Sequence, residues 1–170
     1  MITNEQLAWL AGIVDGEGTI TVWKYQCRKS FTYRPIVAIY NTDLNIISEC
    51  AKIFDALKVS AHLNSHKVKK RKLCYVIETK KLSSIKIILE SILPYLIGKK
   101  SRAELTLRFV NSRLAAIQKL RSKGIQSNNI PYTEEEGSLV DQLRILTKRG
   151  DESSETLCLT SQDEDKVRPS

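Results

Sequence analysis

Residues 10–18 read LAGIVDGEG, and the placement of charge in this stretch decides how the fold is read. Upstream, Thr3 and Gln6 have the spacing of a reciprocal N-terminal cap, which predicts a helix over about residues 4–14. Its end carries two acids, Asp15 and Glu17, separated and followed by Gly16 and Gly18. A helix C-terminus already presents partial negative charge from unpaired carbonyls, so carboxylates are unfavourable there. A local rule broken this plainly is often the mark of a functional position.

Beyond the glycines the apolar period changes from helical to alternating. In GTITVWKY, Ile20 and Val22 alternate with Thr19, Thr21, Trp23 and Tyr25, the pattern of a strand with one covered face. QCRKSFTY reads as a polar turn, and RPIVAIYN as a second strand, with Val37 and Ile39 opposite Arg34, Ile36, Ala38 and Tyr40. Pro35 places the start of that strand at a sheet edge or strand end. TDLNIISECAKIFDAL reads as a helix capped by Thr42 or Asp43, its apolar face formed by Ile46, Ile47, Cys50, Ile53, Phe54 and Leu57.

VSAHLNSH and KLCYVIETK read as two further strands joined by the basic connection KVKKRK. Helices SSIKIILESILPYL and SRAELTLRFVNSRLAAIQKL follow, broken near Pro94 and Gly98. TEEEGSLVDQLRILTKR is a further amphipathic helix, with Thr133 and Glu136 spaced as a cap. The order is α-β-β-α-β-β-α followed by more helix. It predicts an α+β fold in which two hairpins form a four-stranded antiparallel sheet with helices on one face. The expected divisions are a core over 1–132, a C-terminal helix over 133–149 packed on it, and an acidic, partly disordered tail over 150–170.

Composition narrows the function. No apolar run in these 170 residues approaches membrane-spanning length, and the N-terminus lacks a signal-type pattern, so a soluble, intracellular protein is expected. Cys27, Cys50, Cys74 and Cys158 lie far apart, which argues against a zinc cluster or a secreted disulfide scaffold. Residues 1–132 carry 22 Lys and Arg against 9 Asp and Glu, whereas residues 133–170 carry 5 against 10. A basic body with an acidic end points to a polyanion partner, although a well-solvated surface would also be charged.

The strand faces expected to be exposed carry Thr21, Trp23, Tyr25, Arg34 and Tyr40 on the first pair. On the second pair they carry His62, Asn64, His66, Val76, Glu78 and Lys80. With Lys69, Lys70, Arg71 and Lys72 in the connection, and Lys100 further on, this mixture suits a surface that reads bases and grips phosphates. A merely solvated sheet face would be polar too. His62 and His66 are four apart on a strand, which fits DNA contacts or surface residues rather than zinc ligands.

LAGIVDGEG closely resembles the signature of the LAGLIDADG homing endonucleases, and the succession of elements over residues 3–121 is similar to that family's core. The resemblance implies a site-specific, divalent-metal-dependent endonuclease whose sheets form DNA-binding saddles. Its target would be a long pseudo-palindromic duplex, cut on both strands across the minor groove to leave 3′ overhangs. A single motif implies a homodimer through this helix. Ala8, Ala11 and Gly12 lack bulk and let two copies approach closely, bringing both acid clusters together.

Converging carboxylates and carbonyl dipoles repel one another unless hard cations such as Mg²⁺, with Mn²⁺ as a substitute, fill the space. The family pattern assigns metal to Glu17 with the Gly16 carbonyl, Gly16 allowing a sharp turn. Asp15 is either a further ligand or a cap for neighbouring amides. The resemblance also implies that Asp43 would order water and Lys99 would balance charge at the scissile phosphate. Their plainer readings are a helix cap and a surface lysine. No membrane contact and no organic cofactor is expected. A different class, an intron RNA maturase or DNA-binding regulator on the same scaffold, would need the basic sheet but not the acids. A small α+β protein with no nucleic-acid role would show no salt-sensitive DNA binding.

Overall fold

The computed structural model describes residues 2–27, 30–67, 69, 72–124 and 130–148. The expectations for Lys70, Arg71 and the tail over 150–170 therefore fall outside the described residues. Helix α1 spans Asn4–Glu17, and Thr3 and Gln6 close the reciprocal cap at its start. Strands β1 (Gly18–Cys27) and β2 (Ser30–Asn41) form the first hairpin, followed by helix α2 (Leu44–Ala56). Strands β3 (His62–His66) and β4 (Cys74–Thr79) form the second. Helix α3 (Leu82–Ile92) leads through a 3-10 turn, Leu93–Tyr95, into the long helix α4 (Lys100–Arg121). Helix α5 spans Glu134–Lys148. All neighbouring strands are antiparallel, in the order β1-β2-β4-β3.

The two faces of the sheet follow the alternation. Ile20, Val22, Tyr33, Val37, Ile39 and Ile77 are buried with the helices, sharing a core with Leu10, Val14, Ile53, Phe54, Ile88, Leu89, Phe109 and Val110. Leu139, Val140 and Leu143 of α5 join the same core. Arg113 fixes the entry to α5, donating to the Ile130 and Pro131 carbonyls and to Glu136, whose carboxylate also accepts from Ser112 and from the Thr133 amide.

Two local departures from the sequence expectation have clear causes. First, α1 does not end before the acids but runs through Gly16 to Glu17, so Gly16 makes no sharp turn. The turn falls on Gly18, which caps the helix with extended backbone and is also the first residue of β1. A Cβ on Gly18 would lie 2.6 Å from the Val14 carbonyl oxygen, so only glycine lets the helix pass into the strand without a loop. Second, most of QCRKSFTY is strand rather than turn. Phe31 stacks on Tyr132 and Tyr33 packs edge-on against Phe109, contacts that arrive from far along the chain.

Pro35 lies within β2, an inner strand, yet without conflict. Pairing with β4 begins only at Val37, so the first half of β2 has β1 as its single strand neighbour. On that open side the Tyr132 hydroxyl receives the Tyr33 amide N–H at 3.0 Å and donates to the Tyr33 carbonyl at 3.4 Å. Pro35 has no N–H to leave unpaired there.

Candidate active site

The two acids at the end of α1 have separate fates. Asp15 turns toward the start of α4, where its Oδ2 accepts from the amides of Ile97 (2.7 Å) and Gly98 (3.2 Å) and its Oδ1 from the amide of Lys99 (2.8 Å). These amides belong to Lys99, the N-cap residue of α4, and to the two residues before it, and α4 has no side-chain cap of its own at Lys99. In return the Lys99 ammonium donates to the carbonyls of Val14 (2.9 Å) and Asp15 (2.7 Å). No basic residue lies in the last turn of α1, so Lys99 supplies the positive charge which that helix end favours.

Burial disfavours the charged form of Asp15 and is the largest single influence on it. The amides of Ile97, Lys99 and Gly98, with the Lys99 charge, together outweigh burial and hold the carboxyl below its usual range. With both oxygens engaged by amides, Asp15 is a poor prospect as a metal ligand. Glu17 differs in every respect: it is exposed, the last residue of α1, beside Gly16, around which the surface is open.

Along α1, Ala8, Gly12 and Gly16 are exposed at four-residue spacing, and so share one face. Ala11, expected on that face, is instead 0% exposed and packs with Leu10 and Val14 in its own chain's core. Helix geometry explains the correction, since Ala11 belongs to the core-facing stripe.

Asp43 is the N-cap of α2, its Oδ1 accepting from the Asn45 amide at 2.8 Å. Asn41, the last residue of β2, lies two residues before this cap and carries a polar group that alternation alone does not mark. The register Gly18↔Ile39 carries Asn41 two positions past the start of β1, toward the level of Gly16. Its Oδ1 accepts from the Asp43 amide at 2.9 Å. An amide side chain at the end of an alternating run, just before a helix cap, was the available signal.

On the outer face of the sheet, Tyr25, Arg34 and Tyr40 are exposed and Trp23 is half-buried. His62, Asn64 and His66 are exposed on the edge strand β3, opposite Glu78, Val76 and Cys74. Lys69, Lys72 and Lys100 are exposed as well. Two positions depart from expectation: Thr21 is only 9% exposed, and Val76 is buried against Ile36 and Ala38, with Trp23 leaning on the cluster. Glu78 and Lys80 form an ion pair at 2.7 Å. Among the described residues no three His, Cys, Asp or Glu side chains come together as a metal cluster. No helix among them is long and apolar enough to cross a membrane.

A family model described as LAGLIDADG endonuclease matches residues 10–109. A comparison with curated proteins gives no match. Among solved structures, the homing endonuclease I-CvuI in complex with its target in the presence of calcium is 19% identical. That likeness covers 84% of this chain and 95% of the other, with a TM-score of 0.55. The group I intron-encoded homing endonuclease I-CeuI complexed with DNA is 15% identical over 89% of this chain and 72% of the other, with a TM-score of 0.61. The archaeal intron-encoded homing endonuclease I-Vdi141I complexed with DNA is 14% identical over 84% and 98%, with a TM-score of 0.55. At these identities the likeness is one of fold.

Proposed function

The chain belongs to the LAGLIDADG endonuclease family, and from that premise we propose a homing endonuclease that makes a divalent-metal-dependent double-strand cut in a long, pseudo-palindromic DNA site. The observation that carries this reading is the division of labour at the end of α1. Asp15 and Lys99 lock two helix ends together, and Glu17 remains as an exposed carboxylate beside them.

One carboxylate per chain is too few for a cation site, and the exposed stripe Ala8, Gly12 and Gly16 offers the remedy. Two copies packed along it about a two-fold axis bring both Glu17 side chains together, so the active unit is a homodimer. The donors suit a hard cation: the Glu17 carboxylate and the Gly16 carbonyl are oxygen ligands on an open surface that leaves room for water. Mg²⁺ fits this set, and Mn²⁺ substitutes for it. When bound, the cation supplies Lewis-acid stabilisation of the phosphodiester's developing charge and an activated water.

The chain's own residues do the rest. Lys99 holds the last turn of α1 and keeps a positive charge at the helix end. Asn41 offers an amide that positions water near the scissile phosphate, a role better suited to it than to Asp43, which caps α2. Arg34, Tyr25, Tyr40, His62, Asn64 and His66 face the duplex, with Lys69 and Lys72 on its phosphates.

The test is cleavage of duplex DNA carrying the insertion junction of the gene's own intron. The wild-type chain with Mg²⁺ cuts it, a chelator stops the reaction, and Glu17→Gln is inactive with an unchanged melting temperature. Full cleavage by Glu17→Gln would sink the assignment.

A further inference from the structure

The outer face of the sheet is uneven in what it offers a groove. Near α1 its middle is closed, because Thr21, Ile36, Ala38 and Val76 are buried by their neighbours and present little to a base edge. Farther along the first hairpin lies Arg34, directly opposite Trp23. The Arg34 guanidinium carbon sits 4.8 Å from the centre of the Tyr25 ring. That ring in turn meets Trp23 edge-on, with centroids 6.0 Å apart at 72°. Among the described residues no carboxylate pairs with Arg34, whereas Lys80, just past the end of β4, is tied to Glu78.

A guanidinium is planar by delocalisation and presents its N–H donors in one plane, the arrangement that matches the O6 and N7 acceptors of guanine in the major groove, and the Tyr25 ring beside it narrows the orientations it can take. Holding the side chain in place before binding also lowers the entropy cost of the contact. The register gives its position. Trp23 stands five residues beyond Gly18 along β1. At about 3.3 Å per residue this is roughly 17 Å from the end of α1, which for a strand laid along the duplex axis spans about five base pairs at ~3.4 Å each.

We propose that Arg34 is a specificity-determining residue that reads a guanine about five base pairs outward from the point where α1 meets the DNA, once in each half-site. Thr21, Ile36, Ala38 and Val76 add no direct readout. The inference rests on the DNA-binding reading above and deepens it.

The experiment selects bound duplexes from a randomised pool with the full chain, calcium replacing magnesium to limit cutting. It repeats the selection with Arg34→Ala and Arg34→Lys, their melting temperatures matched to wild type. The wild-type pool enriches a guanine at one fixed place in each half, and both variants lose it. Arg34→Ala weakens binding to the selected duplex about 5- to 150-fold, the discrimination expected of a bidentate pair. The same guanine preference in all three proteins overturns the proposal. So does an equal loss on every duplex with a shallower salt dependence, which would place Arg34 on a phosphate. A wild-type pool with no enriched site overturns both this inference and the DNA-binding reading beneath it.

Discussion

Replacing Asp15 with alanine removes the acceptor for three amides at the start of α4 and leaves Lys99 beside α1 without its acidic neighbour. Three charge-assisted hydrogen bonds are lost, at 2.7, 2.8 and 3.2 Å, but two of them are exposed, so water can reach the orphaned N–H groups. The cost is therefore that of a strong helix cap rather than of buried polar groups, about 1–2 kcal/mol. For a domain of this size the melting temperature falls by about 2–8 °C. The effect depends on pH in a defined sense. Because folding depresses the Asp15 carboxyl, its contribution is fully present above the unfolded value of about 3.9 and disappears as the pH falls through the lower folded value. Thermal denaturation followed by circular dichroism at neutral and acid pH measures both. Asp15→Asn falls between wild type and alanine, since its one carbonyl oxygen still caps. An Asp15→Ala variant that melts with wild type at neutral pH would refute the reasoning, as would a difference that grows toward acid.

Other consequences can be measured on the same protein. Arg113→Ala strands the Glu136 carboxylate, which is 0% exposed, and lowers stability by about 3–5 kcal/mol in urea unfolding. A loss below ~1 kcal/mol would show that the pair is dispensable. The Thr106 hydroxyl is buried with no hydrogen-bond partner among the described residues, so Thr106→Val raises the melting temperature by about 2–4 °C. Cys50 is buried, and burial pushes its thiol up to about 12, so iodoacetamide at mildly alkaline pH modifies the half-buried Cys74 before Cys50. Peptide mass spectrometry decides this, equal labelling being the contrary result.

What was legible in the sequence was what short spacing encodes. The caps at Thr3 with Gln6 and at Thr133 with Glu136 are each closed within three residues, and both form. Strand faces followed from alternation, and the four-stranded antiparallel sheet followed from two hairpins. What depended on distant partners was not legible. Nothing in LAGIVDGEG says that Asp15 will find amides 82 to 84 residues away, which is why both acids seemed misplaced. Asp15 is well placed once α4 is counted, and only Glu17 stands where a helix disfavours it. Phe31 and Tyr33 lie in a stretch whose composition suggests a turn, yet they pair with β1 and pack on Tyr132, which is 99 residues from Tyr33 along the chain. Size alone groups Ala11 with Ala8 and Gly12, but its direction on the helix places it in the core.

The Tyr132 hydroxyl and the missing N–H of Pro35 together close the open side of β2. A half-strand with free backbone donors and acceptors is a template for pairing with another chain, the usual start of edge-to-edge aggregation. The segment leading into α5 therefore guards solubility as well as adding to the core. A gene shortened before Tyr132 would yield chains whose first hairpin offers that uncovered edge to its own kind.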